Sequence, residues 1–439
     1  VTRRQRTIRV EALTRVEGEG GLYVRLRGNR VSEVRLDIYE PPRLFESLLR
    51  GRHFSEAPDI TARICGICPI AYQMSSVHAI EAALDCHPGP EIRRLRRLLY
   101  CGEWIESHAL HIHLLHAPDF LGYESGLAMA ADYPEEVKRG LRLKKHGNEL
   151  IELFGGRAIH PINVTVGGFF RLPDRDRASR LIPDFEWGLD AAMAMTRWVA
   201  ALDFPEFDQQ YEMVALTHED EYPMNEGRLR SSTGMDIDPA QFETRFVERQ
   251  VPHSTAWHCL RRDGDTSYLV GPLSRVALNF DRLAEPARRL ADELTIDWSR
   301  ATPYQGIVAR GLEVVHAYAE ALAILRTYRQ PRVHRVEAVA RSSAGAAATE
   351  APRGTLYHRY EIGEGGRIER ATIIPPTSQN QAQIENDLRR LVSRIATLAD
   401  AEIERRCEQL VRSYDPCISC STHFLKLTLQ RDDSSPHFD

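Results

Sequence analysis

The sequence predicts an α-rich mixed α/β fold built as a single unit, and three observations predict it. Apolar residues recur at helical spacing through most of the chain. Two stretches, one near the start and one late, alternate apolar and polar residues as β-hairpins do. Two Cys-x-x-Cys pairs, Cys65/Cys68 and Cys417/Cys420, stand near opposite ends. One tight turn presents two thiolates, too few to finish a metal site, so the economical arrangement brings both pairs together as four ligands. That closure spans nearly the whole chain and argues for one domain.

Taken in order, Leu22, Val24 and Leu26 alternate with Tyr23, Arg25 and Arg27, and after Gly28-Asn29 the alternation resumes at Val34, Leu36 and Ile38. This is the first hairpin. Pro41-Pro42 leads into a short helix in which Leu44, Phe45, Leu48 and Leu49 pack and Glu46 lies on another face. Pro69 suits the first turn of a helix carrying Ile70, Met74, Val77 and Leu84, which puts Cys68 at a helix N-terminus, where free amides favour the thiolate. A long helix from Glu91 to about His116 ends before Pro118. Its His108, His111, His113 and His116 are expected as core or supporting histidines rather than a second metal site, since no carboxylate accompanies them at fixed spacing. Helices follow at 136–154, 185–202 and 312–325, with loops between His218 and Arg262. The Ala-rich stretch 342–349 is short for a linker. The second hairpin runs from Leu356 to Ile374, turning at Gly363-Glu-Gly-Gly366, and helices at 384–398 and 401–411 deliver the second cysteine pair.

Composition removes several function classes. Charged residues make up 27%, the formal net charge is -5, and no basic block stands out, so neither nucleic acid nor an anionic membrane surface is an expected partner. No apolar run approaches the roughly 20 residues of a membrane span, and no signal peptide is apparent. Cys86, Cys101, Cys259 and Cys407 are scattered and read as ordinary buried thiols, which suits a reducing, cytoplasmic compartment. No Gly-x-Gly-x-x-Gly occurs, so the chain is not expected to bind its own dinucleotide. Four thiolates select zinc, iron, copper(I) or nickel, and on the cysteines alone a structural zinc staple competes evenly with a catalytic centre.

The flanks change that balance. Arg63-Ile-Cys65-Gly-Ile-Cys68 and Asp415-Pro-Cys417-Ile-Ser-Cys420-Ser-Thr-His423 resemble the paired signatures of the large subunit of nickel-iron hydrogenases. The likeness continues through Arg15-Val-Glu17-Gly, Gly155-Gly-Arg157-Ala-Ile-His160-Pro161, Gly167-Gly168, Gly271-Pro-Leu-Ser-Arg275, Glu350-Ala-Pro-Arg353-Gly354 and Pro376-Thr377-Ser378-Gln-Asn380, covering about Arg9 to His423. Tyr72 departs from many members, which carry histidine four residues after the second cysteine. The Ile-Cys-Pro-Ile-Ala-Tyr-Gln-Met form looks like the cytosolic, multisubunit branch linked to NAD(P).

The resemblance implies the large-subunit fold, with its two hairpins around a helical core, and reversible splitting of dihydrogen into protons and electrons. It makes Cys65 and Cys417 terminal nickel ligands and has Cys68 and Cys420 bridge to an iron bearing carbon monoxide and cyanide. Cys417 becomes the first proton acceptor, Glu17 the relay, and Arg353 a fixed cation beside the open metal position. Thr377 or Ser378 hydrogen-bonds a cyanide, and Asp119 and Asp415 orient charged neighbours. Glu46, the Ile373 carbonyl and His423 hold magnesium or a second iron. Implied partners are an iron-sulfur small subunit, flavin- and NAD(P)-binding subunits, and maturation proteins, with no iron-sulfur cluster in this chain. The resemblance makes 1–423 a single catalytic large-subunit domain and the 424–439 tail a propeptide or a retained extension. Rival readings are a hydrogen-sensing subunit, a hydrogenase using deazaflavin or polysulfide, a quinone-reductase relative without nickel, and the zinc staple.

Overall fold

The computed structural model describes residues 5–39 and 44–421. The predicted N-terminal hairpin is present as Gly20–Arg27 and Arg30–Ile38, and a further strand, Gln5–Val10, completes an antiparallel sheet by pairing Ile8 with Val24 and Val10 with Leu22. The late hairpin, Gly354–Ile362 and Ile368–Ile374, likewise gains an edge strand. The Ala-rich stretch is that strand, Ser343–Ala351, and its small side chains let the Pro69–Leu84 helix lie close against the sheet.

Between the sheets sits a helical core of Pro90–Leu110, Pro134–Gly155, Ile182–Ala200 and Gly306–Thr327. The first two cross at backbone distance: a Cβ on Gly147 would fall 2.5 Å from the Gly102 carbonyl oxygen, so a side chain there would force the helices apart. The last two long helices, Pro376–Ile395 and Asp400–Tyr414, lead back to the N-terminal sheet. Among the described residues, no helix is long and apolar enough to cross a membrane.

Three expectations are corrected. The long helix does not stop before Pro118: it passes from Pro90–Leu110 into a π-helical segment, His111–His116, and then Ala117–Leu121. Pro118 sits in the first turn of that last piece, where the missing N–H costs no intrahelical bond. The 218–262 stretch is not only loop. Arg228–Ser231 and Asp236–Ile237 join Val214–Thr217 in a sheet, and Phe246–Arg249 pairs with His258–Arg261. Strands of two to four residues are too short for alternation to register. In the Phe45–Leu49 helix, Leu44 and Leu48 are each 48% exposed and Leu49 alone is buried, because one turn cannot turn two leucine rows inward at once.

One buried ion cluster organises the centre. Arg275 bonds Glu313 through Nε (2.7 Å) and Nη2 (2.8 Å), and Glu350 through Nη1 (3.0 Å), with all three side chains inaccessible to water. Arg275 also donates to the Ala351 and Pro352 carbonyls, and His108 and Tyr222 complete the shell of Glu313. Against burial, which raises it, Arg275 pulls the Glu313 carboxyl down to about 2. Arg275→Met leaves two carboxylates buried without a counter-charge and is expected to cost about 3–5 kcal/mol in urea unfolding. Since Glu313 is depressed when folded, its contribution is whole above the ordinary glutamate value of 4.5 and drains as pH falls toward about 2. Wild type should therefore lose more stability than the variant across that window.

Candidate metal centre

The two cysteine pairs meet. Cys68 is the N-cap of Pro69–Leu84. Cys417 immediately precedes the short Ile418–Ser421 helix and Cys420 lies within it, after Asp415 has turned the chain in left-handed backbone geometry (φ 52°). The four sulfur atoms lie within 4.8 Å of one another, with Cys65 Sγ to Cys417 Sγ at 3.4 Å, Cys68 to Cys420 at 4.0 Å, and Cys417 to Cys420 at 2.7 Å. All four are free thiols and at most 7% exposed.

Their proton affinities diverge. Hydrogen bonds from Cys417 and the other thiols push Cys65 well down, whereas burial and the neighbouring sulfurs push Cys417 well up and Cys420 up. Four such sulfurs cannot all ionise in a dry site without a cation among them. Soft, converging, water-excluded thiolates fit a nickel-containing centre by donor chemistry.

Glu17 comes to this cluster from the N-terminal sheet. Its backbone forms a parallel bridge with Cys417, its carbonyl accepts the Ile418 N–H (2.9 Å), and the Cys417 thiol donates to Glu17 Oε2 at 3.1 Å. Arg353 follows directly on Pro352, whose carbonyl Arg275 holds, and its backbone packs against Gly271. That glycine has a φ of +121°, and a Cβ on it would fall 2.9 Å from the Arg353 carbonyl oxygen, so no side chain fits there. Arg353 Nε donates to the Asp415 carbonyl (2.8 Å) and Nη2 to Asp415 Oδ1 (3.1 Å), while Nη1 is buried with no partner. Burial alone would weaken the guanidinium's hold on its proton, but Asp415 and the cysteine sulfurs raise it well above the ordinary value. An unpaired buried cationic donor beside sulfurs is the kind of group that suits an anionic metal ligand.

Thr377 Oγ1 accepts the Cys417 N–H at 3.0 Å, which leaves its own hydroxyl proton for another acceptor. Ser378 turns elsewhere, donating to the Trp257 carbonyl (2.6 Å) with Glu248 at 3.1 Å. Asp119 is clasped by Arg412 through Nε (2.8 Å) and Nη2 (3.0 Å) and by Arg15. Glu46 accepts the Ile373 N–H at 2.7 Å, while His423 and the 424–439 tail lie outside the described residues.

Several residues around the centre escape sequence reasoning. Glu103 accepts the Ile70 and Ala71 amides (2.6 and 3.1 Å) and so caps the helix that follows Cys68; burial pushes its carboxyl well up. Its one signal is a glutamate a turn after Leu99 on an apolar face. Arg310 donates to the Ser413 carbonyl and His111 to that of Arg412, both just before the second cysteine pair. His160 bonds the Ala62 carbonyl and Gln73 the Pro161 carbonyl, fastening that motif beside Cys65. Tyr72 is fully buried, its hydroxyl unpartnered, with the His358 ring 5.8 Å away.

Known proteins resemble this chain in sequence and in fold. A family model for nickel-dependent hydrogenase matches residues 43–138 and 264–423. Sulfhydrogenase 1 subunit alpha of Pyrococcus furiosus is 33% identical over 425 residues, 96% of this chain and 98% of that one. The NAD-reducing hydrogenase HoxS subunit beta of Cupriavidus necator is 27% identical, over 96% of this chain and 95% of its own. The crystal structure of an NAD+-reducing NiFe-hydrogenase in the H2-reduced state superimposes with a TM-score of 0.86 at 28% identity, covering 95% of this chain and 99% of that one.

Thr377→Val removes the hydroxyl that accepts a buried amide at the cluster's edge without changing side-chain volume. It is expected to cost about 1–3 kcal/mol and to lower the melting temperature, while Thr377→Ser stays near wild type. Equal melting of the two variants would remove this bond from the account.

Proposed function

The chain belongs to the nickel-dependent hydrogenase family, and on that premise we propose how its residues divide the work of splitting dihydrogen. Cys65, Cys68, Cys417 and Cys420 would hold a nickel-iron centre, whose iron would carry carbon monoxide and cyanide. When bound, that centre would supply the reversible heterolysis of dihydrogen. Cys417 Sγ takes the proton first, and Glu17 Oε2, 3.1 Å away, takes it next. Glu17 is half-buried, so it stands between the dry cluster and solvent.

Arg353 keeps a fixed positive charge beside the sulfurs, held by Asp415, and its unpartnered Nη1 suits the same anionic ligands. Thr377, with a hydroxyl proton to give at the Cys417 backbone, is better aimed for a cyanide than Ser378. Asp119 holds Arg412 and Arg15 in place behind the second cysteine pair. Glu46, the Ile373 carbonyl and His423 would hold magnesium or a second iron; the bond from the Ile373 N–H to Glu46, which brings that carboxylate to residue 373, supports the first two.

Electrons leave through an iron-sulfur small subunit toward flavin and NAD(P) in a cytoplasmic complex. Similarity to NAD-reducing relatives supports that acceptor, and the buried free cysteines support the reducing compartment. Similarity to a sulfhydrogenase alpha subunit favours a second reading, in which a sulfur compound takes the electrons. Assaying the purified complex with NAD+, NADP+ and polysulfide separates the two.

The single observation that carries the proton route is the Cys417–Glu17 contact. An amide of nearly the same size cannot relay a proton, so Glu17→Gln is expected to keep nickel, iron and the infrared bands of carbon monoxide and cyanide. Hydrogen turnover and proton-deuterium exchange should fall about a thousandfold, about 4 kcal/mol of barrier. Near wild-type exchange with an intact centre would move the relay elsewhere. Cys417→Ser, by contrast, should yield a chain whose nickel content drops to near zero, because a neutral hydroxyl replaces a soft thiolate. Intact mass of the active complex decides whether 424–439 is removed.

A further inference from the structure

Away from the cysteine centre, His253, His258 and Glu385 offer ligand atoms that all lie within 4.8 Å of one another. They come from three places: the segment after Phe246–Arg249, the first residue of the strand His258–Arg261, and the middle of the helix Pro376–Ile395. His253 Nε2 is 2.8 Å from Glu385 Oε1, and that oxygen is fixed from behind by the Leu36 N–H at 2.9 Å. Both side chains keep 15% exposure, enough for an ion to enter.

His258 is the unsatisfied member of this cluster. It is only 6% exposed and its Nε2 has no hydrogen-bond partner. A buried imidazole nitrogen is ordinarily satisfied, and the histidine ring opposite it, His253, stands edge-on with centroids 5.9 Å apart. Burial lowers the affinity of His258 for a proton, which keeps it in the neutral form that ligates metals. Asp37 adjoins Ile38, whose carbonyl holds Thr255. It feels the charges of His253 and Glu385, and its Oδ1 is also buried without a hydrogen bond.

We propose that His253, His258 and Glu385 form a divalent-cation site, for zinc, that is separate from the cysteine centre. Two imidazoles and a carboxylate are a common zinc donor set, with water in the fourth position. Tetrahedral ligation with bonds near 2.0 Å places ligand atoms about 3.3 Å apart, a spacing these side chains reach with small rotations. The Leu36 amide on Glu385 is the orienting bond such a ligand needs.

The ion staples the 250–258 segment to the N-terminal sheet and the Pro376–Ile395 helix. That segment carries Ala256, packed with Ile38 and with Ile418, which directly follows Cys417, and Trp257, whose carbonyl holds Ser378. Zinc here stiffens the wall behind the cysteine centre without touching it.

The test uses the purified nickel-loaded complex. Wild type, His258→Ala and His253→Gln are equilibrated with zinc, freed of excess, and measured for zinc, nickel and iron. At equal nickel, wild type should carry about one zinc per chain more than either variant. Cobalt in its place should give weak d–d absorption with no thiolate charge-transfer band, and zinc should raise the melting temperature of wild type alone. Equal zinc in all three proteins, no bound zinc at full nickel content, or a cobalt spectrum with sulfur charge transfer would each overturn the site. His253→Gln keeps a donor to Glu385 and so serves if His258→Ala fails to load nickel.

Discussion

Four sulfurs from positions 352 residues apart must come within 4.8 Å, and most of the architecture follows from that requirement. The N-terminal sheet reaches Cys417 through Glu17, the Pro69–Leu84 helix starts on Cys68, and the last long helix before the late pair is tied down by Arg310, His111 and Asp119 acting on Ser413 and Arg412. A loop closure this long is entropically unfavourable, but the added cost grows only with the logarithm of its length. Many modest bonds between distant segments offset it, and a bound metal adds its own.

At the Arg275 cluster the interior answers buried charge with charge. Arg275 is surrounded by Glu313, Glu350 and two carbonyls, and those same carbonyls belong to the turn that presents Arg353. The stabilising cluster and the positioning of Arg353 beside the cysteines are therefore one structure. Replacing it with apolar residues would keep a packed core but lose the fixed direction of the 350–354 turn.

The centre is legible in the sequence because its cysteines lie in turns with a fixed two-residue spacing, and because Glu17 and Arg353 sit inside short ordered motifs. Long helices are legible from their period. Glu103 and Arg310 are not, since a single charged residue on an apolar helix face gives no sign of which distant amide or carbonyl it will meet. The short strands between 214 and 261 fall below the length at which alternation can be read, and with them the approach of His253 to His258 and Glu385, which depends wholly on tertiary packing. The π-helical segment at His111–His116 carries no periodic signature distinct from an ordinary helix.

The placement of the late cysteines has a consequence in time. A ribosome adds about 5–20 residues per second, so Cys65 and Cys68 are made roughly 20–70 s before Cys417 and Cys420. For that interval the nascent chain carries only one thiol pair, half of the four-sulfur cluster. Capture of a metal by all four sulfurs therefore waits until the chain has been made through Cys420, so the centre is assembled on a nearly finished chain rather than on its first half.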